Sequence, residues 1–125
     1  MPTTQDLMEA AFKRLRDKGI TPTLVFDQRA MVRSDCLEAY ERAAQVEGNP
    51  GRWVGASFTD AQWRSGMLHY RGSLDREWHL VHKLLFSFPR NDLTVPRELL
   101  NALAAERLHA EWQCEAASAV EVWLT

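Results

Sequence analysis

Residues 73–88 read SLDREWHLVHKLLFSF, and the fold turns on whether this stretch is a helix. At about 100° per residue, Leu74, Trp78, Val81, Leu85 and Phe88 fall on one narrow stripe, which Leu80 and Leu84 widen on one side. Ser73 stands where a cap belongs, and Pro89 closes the run. The spacing therefore predicts a core helix over residues 73–88, with Trp78 inside. Each large apolar side chain it buries contributes about 1.5–3 kcal/mol.

The opposite flank of that helix carries Asp75, His79, His82 and Phe86. Asp75 and His79 are four residues apart and within reach of one another, with His82 one turn further along. Imidazole and carboxylate groups are borderline metal ligands, and helical spacing can aim several at one ion. Glu106 and His109 add a Glu-x-x-His pair, the local unit of carboxylate-bridged di-metal bundles. Such bundles need four long helices and two such pairs, and this chain offers one. A metal-binding or acid–base enzyme using Asp75, His79 and His82 with Glu106 and His109 is accordingly an alternative. The leading expectation is an Asp–His contact beside an apolar stripe, with no cofactor and no bound metal.

Upstream, residues 4–18 repeat the helical pattern. Leu7, Met8, Ala11, Phe12 and Leu15 share a face, Thr3 or Thr4 can cap it, and Gly19 is placed to end it. Thr21-Pro22 breaks the pattern, and residues 23–26 form a short β-prone run. Asp27-Gln28-Arg29 leads into a second short run, Ala30-Met31-Val32, or into an early helix. Ser34 or Asp35 caps a helix reaching about Glu47, and Gly48-Asn49-Pro50-Gly51 is the strongest turn signal in the chain. Residues 53–58 suit a strand, weakened by Gly55 and Ala56. A short helix over residues 61–70, interrupted by Gly66, competes with a strand through residues 67–70.

Downstream, Thr94 and Pro96 open a last helix expected to run to about Ala117. In residues 119–124, Val120, Val122 and Leu124 alternate with Glu121 and Trp123, the clearest strand pattern present, with residues 23–26 as the expected partner. The expected fold is α+β: one helix-rich domain over residues 1–125, with four to five helices and a small sheet from 23–26, 53–58 and 119–124. An all-α bundle is the alternative.

With 15 Lys and Arg against 17 Asp and Glu, the formal net charge is −2. Nucleic-acid modules draw most of their affinity from phosphate neutralisation, so nucleic acid is a disfavoured partner. A DNA-binding regulator reading residues 84–106 as helix-turn-helix suffers from a long, Pro-containing connection and from Glu98, Glu106, Glu111 and Glu115. The charged N-terminus lacks a signal core, no apolar run is long enough for a membrane, and Cys36 and Cys114 show no metal or redox spacing. The cytoplasm is the expected location.

The last predicted helix is apolar on two sides. Leu99, Leu103, Ala110, Cys114 and Ala117 line one, and Ala105, Leu108 and Trp112 the other. A helix of that kind is sandwiched or shows one side to a partner. Five tryptophans point the same way, since Trp and Arg are enriched at binding hot spots, and Arg52-Trp53, Trp63-Arg64 and Arg76 with Trp78 lie close in sequence. The expected function is that of a small soluble intracellular protein that binds another protein or a second copy of itself. The inhibitor, immunity or adaptor type fits such a profile. Trp53, Trp63, Leu108 and Trp112 are the candidate binding residues, and no catalytic residue is assigned.

Overall fold

The computed structural model describes residues 1–26 and 33–125, so the alternatives drawn for residues 27–32 lie outside the described residues. The first elements are α1 (Thr4–Asp17), β1 (Thr21–Val25), α2 (Arg33–Val46) and β2 (Trp53–Ser57). A run of strands follows: β3 (Ala61–Arg64), β4 (Met67–Arg71), β5 (Trp78–Leu80) and β6 (Lys83–Phe86). The chain ends with α3 (Thr94–Ala105), β7 (Ala110–Glu111) and β8 (Val120–Trp123). The described residues thus hold three helices and three small sheets, which corrects the helix-rich expectation of four to five helices and the all-α alternative. The α+β class stands.

The helix ends explain part of the difference. Thr3 Oγ1 accepts the Asp6 N–H at 3.1 Å and the Thr3 N–H donates to Asp6 Oδ2 at 2.9 Å, a reciprocal box that opens α1. Gly19, at φ +73°, ends α1 in the left-handed conformation, and the Ile20 N–H folds back onto the Leu15 carbonyl at 3.0 Å. Helix α3 stops in the same geometry without a glycine. Arg107 has φ +61°, its N–H reaches the Ala104 carbonyl at 3.0 Å, and the Leu108 N–H reaches Leu103 at 2.9 Å. The predicted helix to Ala117 therefore ends at Ala105, and Leu108 turns into the core. A side chain in that conformation costs roughly 1–2 kcal/mol, so Arg107→Gly is expected to stabilise the fold by about 1 kcal/mol. A urea midpoint that fails to rise would contradict the cap.

Residues 61–70 form a hairpin instead of a helix. Ser65 and Gly66, at φ +52° and +78°, make the two-residue turn that matches strand twist, and Arg64 pairs with Met67 across it. The Gly66 carbonyl accepts the Gln5 N–H at 2.9 Å, docking this turn on the start of α1.

The predicted helix at 73–88 is replaced by a turn and two strands, β5 and β6. Asp75 Oδ1 accepts the Glu77 N–H at 2.9 Å, Arg76 takes φ +58°, and the chain reverses from β4 into β5. In β6 the burial then alternates with period two: Leu84 and Phe86 point inward, Lys83 and Leu85 outward. The four leucines of this stretch favour a helix locally, and pairing of β6 with β8 overrides that preference. Leu74, on the predicted core stripe, stands fully exposed in the turn.

Strands β1 and β2 pair in parallel around α2, and Pro22 is tolerated because among the described residues β1 has a strand on one side only. Strand β8 pairs with β6 and β7, not with residues 23–26 as expected. Gly55 and Ser87 exchange backbone hydrogen bonds of 3.0 and 2.7 Å. That bridge joins two of the small sheets into one surface in the order β1-β2-β6-β8-β7. Strands β3, β4 and β5 form the third sheet.

One face of the joined surface carries the main core. Met8 and Leu15 of α1 and Leu99 and Leu103 of α3 pack there against Val54, Leu84, Phe86, Val120 and Val122. Among the described residues the other face is covered by α2 over β1 and β2, where Cys36, Tyr40 and Ala44 pack on Trp53. Alternation sends Lys83, Leu85, Glu121 and Trp123 to that same outer face, beyond α2.

The start of α3 is tied to the rest by Asp92. Its carboxyl accepts from the Thr94 hydroxyl and N–H and pairs with Arg52 Nη1 at 3.2 Å, while Arg52 also donates to the Lys18 and Gly19 carbonyls. The Thr94 hydroxyl, its N–H and the Arg52 guanidinium hold the Asp92 carboxyl below its ordinary value, with partial desolvation opposing them. A carboxyl lowered on folding stabilises above its unfolded pKa of about 3.9 and loses that contribution as pH falls through the folded value. The urea-midpoint advantage of the wild type over Asp92→Asn is therefore expected at neutral pH and should shrink in acid. A difference independent of pH would remove the charge from the explanation.

Candidate binding groove on the open half of the sheet

The open face is built in rows across β6, β8 and β7. Leu85 lies opposite Glu121, which lies opposite Glu111, and in the next row Lys83 lies opposite Trp123. Like charges placed directly across from each other destabilise a strand pair, and each glutamate here has its own nitrogen partner. Lys83 Nζ is 3.1 Å from Glu121 Oε1, and His109 Nε2 is 3.3 Å from Glu111 Oε1. Trp123 carries the His109 ring at 4.9 Å and the Lys83 ammonium at 5.5 Å.

Beside this row the chain between β7 and β8 curls into a loop. Trp112 stands edge-on to Phe88 at 5.7 Å, and its indole N–H donates to the Glu115 carbonyl at 3.1 Å. The Ser118 N–H returns to the same carbonyl at 3.1 Å. The result is a groove of about 650 Å³ with Leu85, Leu100, Ala110, Trp112 and Ala119 as apolar lining and Glu111, Gln113, Ser118 and Glu121 as polar lining. Leu85 is 52% exposed, an unusual state for a leucine in the middle of a strand. It also borders a second depression of about 310 Å³ on the α2 side, with Tyr40, Cys36, Ser57 and Ser87. Burial pushes the Tyr40 phenol above its ordinary pKa, and a hydrogen bond with Ser57 opposes that shift.

The chain matches no family model, no curated protein and no solved structure.

The four residues singled out from sequence go to different places. Trp53 is buried against Tyr40 in the second cluster, their rings 5.4 Å apart, and Leu108 is buried in the main core. Trp63 is partly buried against that core from β3. Trp112 alone of the four lines the groove. Trp78, assigned to the core, is instead partly exposed beneath the guanidinium groups of Arg64 and Arg71. Arg76, expected beside it, faces Asp60 at 3.8 Å.

Asp75 and His79 do meet, at 2.9 Å, across a turn instead of along a helix. Tyr70 stacks on His79 with ring centroids 5.3 Å apart. The Glu77 backbone N–H, aided by His79, holds the Asp75 carboxyl below its ordinary value, against an opposing effect of desolvation. His82 is drawn off to the Thr125 hydroxyl at 2.7 Å, Glu106 pairs with Arg14 at 2.8 Å, and His109 sits on Trp123. Of the five residues of the metal alternative, Asp75 and His79 thus stay together and the other three are parcelled out among separate partners. Among the described residues no three His, Cys, Asp or Glu side chains converge on a metal position.

Leu85, Glu111 and Glu121 were missed from sequence. The alternation in residues 119–124 already placed Glu121 and Trp123 on one outer face. What it could not supply was β6 and β7 as the neighbours of that strand, because pairing across 30-odd residues leaves no local mark.

Proposed function

We propose that the protein acts by binding a basic, extended segment of another protein in the groove formed by Leu85, Trp112, Glu111 and Glu121. The observation that carries this reading is the half of the outer sheet face that no helix covers among the described residues, with Leu85 exposed at its centre beside a groove of about 650 Å³. A concavity of that size holds several side chains. The opposed pair Glu111 and Glu121 favours Lys or Arg in the occupant, since one cation between them relieves their repulsion more closely than Lys83 does from the side of Glu121.

An extended occupant suits the edge of the sheet. Strand β7 pairs with β8 on one side, and among the described residues no strand pairs with its other side. The Trp123 N–H donates to the His109 carbonyl at 2.9 Å, so by alternation the Ala110 amide and carbonyl point away from β8. A segment added there gains main-chain hydrogen bonds while its side chains enter the groove. A cytoplasmic setting belongs to the same proposal: Cys36 and Cys114 are both free thiols, one buried and one exposed, as suits a reducing compartment. No helix among the described residues is long and apolar enough to cross a membrane.

The test is a random-peptide display selection on the wild-type protein. Recovered sequences are expected to combine a large apolar residue with flanking Lys or Arg. They should bind Leu85→Asp at least about tenfold more weakly, and Glu111→Lys more weakly as well. Recovery of acidic peptides, or equal binding to wild type and Leu85→Asp, would contradict the proposal.

A further inference from the structure

The small sheet β3-β4-β5 has an outer face of its own, and its charge is opposite to that of the groove. Register places Arg71 beside Trp78, and Gln62, His69 and Leu80 in the next row. Arg64 lies one row further, beside Met67. The guanidinium carbons of Arg64 and Arg71 lie 4.4 and 4.7 Å from the centroid of the same Trp78 ring. The two cations are therefore held no further apart than those two distances combined. Among the described residues neither has a carboxylate within 4.0 Å, which is equally true of Arg42, Arg90, Arg97 and Arg107, so it is the shared indole that sets this pair apart. In addition, Arg71 Nε is buried and meets no hydrogen-bond acceptor among the described residues.

The geometry points to an anion site at Arg64, Arg71 and Trp78 that takes a small phosphorylated molecule through its phosphate or diphosphate group. The indole attracts each guanidinium through its π-face, but it neutralises neither charge and accepts none of their N–H bonds. Two guanidinium forks held at one indole ring call for a ligand with more than one acceptor edge and more than one negative charge. A single carboxylate satisfies one fork; a phosphoryl group or diphosphate can satisfy both. Leu80, 39% exposed in the adjoining row, offers an apolar rest for whatever the phosphate is attached to.

The experiment is isothermal titration of the intact protein with inorganic phosphate, inorganic pyrophosphate and a nucleoside diphosphate, each against sodium chloride of matched ionic strength. Saturable one-site binding of pyrophosphate is expected, weakening with added salt. Arg64→Gln should weaken it roughly tenfold or more, and Arg64→Lys by a smaller factor because it keeps the charge and loses the fork. Arg71→Gln should act likewise, and the exposed Arg64 variants keep the test valid if loss of Arg71 harms folding. Equal binding of pyrophosphate and the nucleoside diphosphate would assign recognition to the phosphates, and tighter binding of the latter would extend the site over Leu80. No saturable binding by any of the three, or Arg64→Gln binding as well as wild type, would overturn the assignment.

Discussion

Phe86→Ala is expected to lose about 3–5 kcal/mol of folding stability, while Leu85→Ala, one residue away, is expected to change it by well under 1 kcal/mol. Phe86 is fully buried, edge-on to Phe12 with ring centroids 6.1 Å apart. Leu85 points the other way and is half exposed. The loss at Phe86 is a large share of the ~5–15 kcal/mol that holds a domain of this kind together. A helix over residues 73–88 reverses the order, since Leu85 then lies on the core stripe and Phe86 on the flank with Asp75, His79 and His82. Urea denaturation of the two variants separates the cases. A larger loss at Leu85 than at Phe86 would show that β6 is placed out of register by one residue, which moves every side chain to the wrong face.

The second large effect belongs to Gly55, where α2 meets the sheet. The Tyr40 ring lies flat on this residue, and a Cβ at position 55 would sit inside the ring's van der Waals envelope. Both residues are buried, and the Gly55 backbone is also engaged with Ser87 in the bridge between the two sheets. A Cβ at position 55 meets the ring at under 3.0 Å, so Gly55→Ala is expected to cost the ~1–3 kcal/mol typical of overpacking. The clash is with one side chain, so the double variant Gly55→Ala with Tyr40→Ala should lose less than the two single losses added together. Additive losses would mean that Tyr40 is not what excludes a side chain at position 55. Read from sequence, Gly55 only weakened a strand. In the fold it is the point of closest approach between α2 and β2.

What was legible and what was not divides by range. Helix α1 announced both its ends, because Thr3, Asp6 and Gly19 act within a turn of where they stand. The strands at 53–57 and 120–123 carried enough β-prone side chains to be recognised. Helix α3 was overextended because Arg107 holds a position that glycine usually marks. The stretch 73–88 was misread because Leu, His and Lys satisfy a helical period as easily as a strand period. Only the partner strand, β8, decides between them. The groove was illegible for the same reason. Trp112 was picked out, but Leu85, Glu111 and Glu121 become neighbours only once β6, β8 and β7 are laid side by side.

The central claim, that the open half of the sheet is the binding surface, is tested most directly by mapping a selected basic peptide onto the protein through backbone amide NMR shifts. The account predicts one contiguous set of perturbed amides at Leu85, Ala110, Glu111, Trp112, Ser118 and Glu121. The exposed surfaces of α1, and of α3 away from Leu100, should stay unperturbed. Perturbations centred on α1 and α3, with residues 85, 111, 112 and 121 unmoved, would contradict it.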